Sequence, residues 1–77
     1  MDIVRQIDIF DNDTELLVQE IPIVLFDLNT FETRFNAKKD DPLMYNPYEI
    51  TSDTVDLFPK INFDFKRFSY YLVCYQV

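Results

Sequence analysis

The sequence contains no glycine, no histidine and no tryptophan, and has one cysteine among 77 residues. Without glycine there is no phosphate-cradling loop of the P-loop or dinucleotide type, because such loops need a backbone unshielded by Cβ. Without histidine the commonest general base and the commonest metal ligand are missing. One cysteine cannot close an internal bridge, so a reducing compartment is the simpler reading. No apolar run approaches the roughly 18 residues of a bilayer span, and the opening Met-Asp-Ile-Val-Arg-Gln lacks the basic and apolar regions of a secretory signal. These absences point away from an enzyme, a cofactor, a metal and a membrane. They leave a cytoplasmic chain folding as one domain over residues 1–77.

Acid is present in excess. Fourteen Asp and Glu against seven Lys and Arg give a net charge of −7 and a pI near 4.2. That field repels nucleic acid phosphates and anionic membranes and is complementary to a basic partner. Eight Phe and five Tyr supply the core. A chain this short buries only about 60% of its unfolded surface, and each aromatic ring can bury roughly 150–250 Å².

The order of elements predicts an α+β fold. Ile3–Phe10 reads as a strand with Ile3, Arg5, Ile7 and Ile9 on the core side and Val4, Gln6, Asp8 and Phe10 on the other. Asp11, Asn12, Asp13 and Thr14 form a turn in which Asn and Asp tolerate the left-handed backbone that glycine would otherwise provide. Glu15–Ile21 returns as the second strand of a hairpin and is stopped by Pro22. The Asp11, Asp13, Glu15 spacing has the start of a calcium loop but not its glycine or its distant bidentate Glu, so no metal is expected. Asp27 is the N-cap of a short helix whose Leu28, Phe31 and Phe35 face the sheet. A second helical turn follows Thr51, Ser52 and Asp53 and ends at Pro59. Phe68–Val77, an almost unbroken apolar and aromatic run, is a buried strand. The expected architecture is a small three-stranded antiparallel sheet, a hairpin plus the C-terminal strand, with one or two short helices on one face. The last strand would lie at an edge, either covered by the long loop or open to a partner or a second copy.

Three groups of side chains could bear function. Ala37–Ile50 is a long structured loop, and long loops in compact domains tend to be functional. Its adjacent Asp40 and Asp41 have no nucleophile or oxyanion donor nearby, so acid–base catalysis is disfavoured against a cap or a turn. Lys60, Lys66 and Arg67 cluster among aromatics without a stacking motif, which disfavours nucleic acid. Cys74 has no activating neighbour in sequence and reads as a small buried hydrophobe.

The residues Asp40, Asp41, Pro42, Leu43, Met44 and Tyr45, then Pro47, Tyr48 and Ile50, and finally Tyr70–Tyr75, resemble a family of small bacterial domains of unknown function. Members of that group resemble immunity proteins of toxin systems. The resemblance implies a cognate immunity protein of the contact-dependent growth inhibition type, which binds an incoming toxin domain and neutralises it in the cytoplasm. Many such toxins are basic nucleases, and an acidic protein can be steered to their surface and occlude it without chemistry. The expected contact surface joins the acidic turn (Asp11, Asp13, Glu15) to the loop (Asp40, Asp41, Tyr45, Tyr48, Glu49), with Tyr as anchors. The alternative is a generic interaction or regulatory domain, dimeric through the C-terminal strand.

Overall fold

In the computed structural model, which describes residues 3–76, four strands form one antiparallel sheet in the order β2-β1-β4-β3. They are β1 (Ile3–Asp11), β2 (Leu17–Pro22), β3 (Tyr48–Glu49) and β4 (Phe68–Gln76). One helix, α1 (Leu28–Arg34), and a 3-10 turn, Val55–Leu57, complete the regular structure. The fold is α+β as the sequence predicts, with a fourth strand that the sequence does not announce. That strand is two residues long and lies in the Pro-flanked loop, too short to carry an alternating pattern.

The C-terminal strand is not at an edge. β4 pairs along its whole described length with β1, from Ile3 opposite Gln76 to Asp11 opposite Phe68. On its other side β3 places Tyr48 opposite Leu72 and Glu49 opposite Tyr71. β4 adds to the outer side of β1, as a third strand of the sheet would, but it is not left as an edge because β3, drawn from the long loop, covers its other side, which is the loop cover that the sequence allowed. The true edges are β2 and the short β3. Past β3, the side of Val73–Gln76 that faces away from β1 has no strand partner among the described residues. Val77, the expected end of the strand, lies outside the described residues.

The hairpin closes without glycine. Asp11 Oδ1 accepts from the amides of Asp13 (2.8 Å) and Thr14 (3.1 Å), an Asx turn. The left-handed residue is Glu15, at φ 62°, rather than one of the Asn or Asp residues. α1 begins as expected, with Asp27 Oδ1 accepting from the Asn29 amide. It ends on Asn36 at φ 56°, where the Ala37 amide donates to the Glu32 carbonyl and the Asn36 amide to that of Thr33. That pair of bonds is a Schellman cap with Asn in the place glycine usually takes.

Alternation along β1 and β4 decides which face is covered. Ile7 and Ile9 from β1 and Tyr70 and Leu72 from β4 pack with Phe31 of α1 and with Met44, Ile50 and Phe58 from the loops. Phe31 meets Phe26 at 4.8 Å and Phe58 edge-on at 5.7 Å. Phe63 meets Tyr70 at 4.7 Å. The helix and loop residues of this core lie on this face, and among the described residues no helix or further sheet layer covers the opposite face, on which Asp8 and Val73 are buried among strand neighbours.

Candidate functional site

The uncovered face follows from strand parity. Its β1 residues are Val4, Gln6, Asp8 and Phe10, the set read from the sequence as the non-core side. Register then places Glu20 of β2 and Tyr71 of β4 on either side of Asp8, and Glu49 of β3 beyond Tyr71. One row across four strands therefore reads Glu20, Asp8, Tyr71, Glu49. The only Lys or Arg among the described strand residues is Arg5, which stands on the core side. Its guanidinium donates to the carbonyls of Met44 and Leu43, each at 2.6 Å, and lies 4.1 Å from the centre of the Phe26 ring.

Carboxylates directly opposite one another on neighbouring strands repel. Asp8 and Glu20 are reconciled by Gln6, whose Nε2 donates to Asp8 Oδ1 (2.7 Å) and to Glu20 Oε2. Tyr75 Oη donates to Asp8 Oδ2 at 2.7 Å. Asp8 is thus only 4% exposed yet bonded through both oxygens. The same bond, with burial and the Asp8 and Glu20 charges, pushes the Tyr75 phenol above its ordinary pKa. Glu20 and Glu49 remain exposed.

At one end of this face is a shallow depression of about 380 Å³ lined by Phe10, Asp11, Asn12, Glu15, Ser69 and Tyr71. Phe10 and Tyr71 meet edge-on, with centroids 5.8 Å apart. Two of its side-chain donors are engaged: Asn12 Nδ2 donates to the Phe65 and Lys66 carbonyls, and Ser69 Oγ to Asn12 Oδ1.

The residues nominated from sequence fall into separate groups. Asp11, Asp13 and Glu15 are together at the hairpin turn. Asp40, Asp41 and Tyr45 lie near the other end of β1, where Arg5 holds the Leu43 and Met44 carbonyls. Arg5 and Asp11 are six residues apart along a strand, a separation of roughly 20 Å. Asp40 and Tyr45 are exposed. Asp41 is 5% exposed, and its carboxylate accepts from the Tyr45 and Asn46 amides and from Tyr48 Oη. Burial alone would raise its pKa, but these bonds, with the Arg5 charge, hold the carboxyl below its ordinary value. Asp41 therefore organises the loop from within. Tyr48 is on the core side, its ring against Phe35 at 6.3 Å, with its phenol pushed upward by burial and the Asp41 bond. Glu49 alone of the loop set belongs to the open face.

Asp8, Phe10, Glu20 and Tyr71 were not nominated. Strand parity places Asp8 and Phe10 on the non-core side in the sequence, but Tyr71 joins them only once β4 is known to pair with β1. Exposed apolar residues form a further patch toward the Arg5 end, with Val24 91% and Leu25 87% exposed. Among the described residues no group of three His, Cys, Asp or Glu is placed to hold a metal ion, and no helix is long and apolar enough to cross a membrane.

Residues 4–73 match a family model described as a domain of unknown function (DUF7683). No curated protein matches the chain, and no solved structure matches it.

Proposed function

The chain belongs to the DUF7683 family of domains of unknown function, and from its own residues we propose that it is a binding protein that covers a basic surface of a partner protein. The observation that carries this reading is the segregation of charge. Net charge is −7, and the open sheet face carries exposed Glu20 and Glu49 in one row, with the buried, bonded Asp8 in the same row. Two of the cations are turned to internal tasks, Arg5 pinning the loop and Arg34 paired with Asp56 at 2.6 Å. Acid uncovered by a second layer, mixed with Tyr and Phe, suits electrostatic steering followed by burial of aromatic anchors.

The physiological setting we propose is immunity. The partner is a basic toxin domain, bound and occluded in the cytoplasm without any chemical step. The test is bacterial growth when this chain is co-expressed with the toxin-like reading frame encoded beside its gene, with an unrelated acidic protein as control. Specific rescue supports the reading. Absence of rescue with both proteins folded and soluble overturns immunity and leaves a generic interaction domain. Dimerisation through the C-terminal end of β4 would use the outer side of Val73–Gln76, because β3 already pairs with Tyr71 and Leu72.

A further inference from the structure

We infer that the open sheet face docks an arginine-bearing segment of the partner, with one guanidinium seated in the depression that Phe10 and Tyr71 line. The inference rests on the basic-partner reading and specifies where and by which side chain the contact is made.

The depression offers two aromatic rings and two carboxylates, Asp11 and Glu15, and its Asn12 and Ser69 donors are committed to protein acceptors. Asp11 uses Oδ1 for the turn amides, and Oδ2 takes no part in those bonds. A visitor must therefore bring donors, positive charge and a flat surface. Guanidinium does so: it is planar, carries five N–H donors and stacks on aromatic faces, whereas an ammonium is a compact, strongly hydrated point charge. Arg67 does not fill this role within the chain. Its guanidinium lies 5.2 Å from the centre of the Phe68 ring, and Phe68 packs against the core on the other face. Glu20 and Glu49 continue the acidic surface across the sheet and would meet further cations of the same segment. A second copy would set carboxylates against carboxylates, and nucleic acid would bring phosphate to the same charge, so both are disfavoured.

The test is an NMR titration of the ¹⁵N-labelled protein with hexa-arginine, hexalysine and hexaglutamate peptides at physiological salt. Amide shifts should centre on Phe10, Glu15, Ser69 and Tyr71, and hexa-arginine should bind about two- to fivefold more tightly than hexalysine. Tyr71→Leu should abolish that preference while the amide spectrum shows the fold intact. The E20Q/E49Q pair, exposed and remote from the core, should weaken both cationic peptides by about three- to tenfold. Hexaglutamate should produce no shifts. Shifts centred instead on Asp40–Tyr45, or equal affinity for arginine and lysine, overturn this inference and leave the basic-partner reading standing. No binding of either cationic peptide overturns both.

Discussion

Three residues with side chains hold a left-handed backbone that glycine would adopt freely: Glu15 at φ 62°, Asn36 at φ 56° and Met44 at φ 55°. Replacing each with glycine separates backbone strain from side-chain packing. A left-handed conformation costs a residue with Cβ about 1–2 kcal/mol, and the freedom glycine gains in the unfolded chain offsets roughly 0.4–1 kcal/mol of the relief. Glu15 is exposed, so Glu15→Gly should stabilise by about 0.5 kcal/mol, a rise in Tm of roughly 2–4 °C for a domain this size. Asn36→Gly should be close to neutral, because Asn already tolerates the conformation. Met44 is only 1% exposed and belongs to the core cluster. Removing its side chain should cost about 2–4 kcal/mol even after strain is relieved. Total stability at this length is on the order of 4–12 kcal/mol, so Met44→Gly should forfeit a large share. Urea unfolding followed by far-UV circular dichroism reads all three. A Met44→Gly midpoint at or above that of Glu15→Gly would refute the claim that packing outweighs strain at Met44.

Asp27→Ala should cost about 1 kcal/mol by uncapping α1, seen as a lower urea midpoint. Asp41 and Asp56 both have folded pKa values below the ordinary 3.8. For Asp41 the bonds from Tyr48, Tyr45 and Asn46 outweigh burial; for Asp56 the Arg34 bond dominates. Their contribution is therefore complete above about pH 4 and is lost as pH falls through the folded values. Stability measured against pH should decline on that acid side, and Asp41→Asn should be less stable at neutral pH with a shallower acid decline. Glu20→Lys replaces a like charge opposite Asp8 with an unlike one and should stabilise the sheet by about 0.2–1 kcal/mol. The same change should weaken binding of a basic partner, measured by titration calorimetry, so stability and affinity move in opposite directions.

The hairpin, the Asp27 cap and the Phe31–Phe35 face were legible because each rests on local rules: period, cap chemistry and turn residues. Strand parity in β1 likewise separated Ile7 and Ile9 from Asp8 and Phe10. What the sequence could not convey was pairing order. Whether β4 lies outside the hairpin or between β1 and another strand depends on contacts dozens of residues apart, and β3 is too short to signal itself. The open-face row depends on that order, since Glu20, Asp8, Tyr71 and Glu49 come from four strands. The acidic turn was legible, and its Asp11 and Glu15 line the depression, whereas Asp41, expected in the contact surface, is buried with its bonds to its own loop. Its Tyr45 and Tyr48 neighbours were the available hint that a carboxylate there organises the loop. The left-handed backbone at Glu15 and Met44 had no sequence signal, because neither residue type favours it.

Occlusion without chemistry is the central claim, and it fixes a stoichiometry. The most direct measurement is to titrate this protein into a fixed amount of the partner toxin domain and follow the toxin's activity. The account predicts inhibition that becomes complete at one copy per toxin and is relieved when salt is raised to screen the acidic face. Complete inactivation at far below one copy per toxin, persisting after this protein is removed, would contradict it and indicate a catalytic modification of the partner.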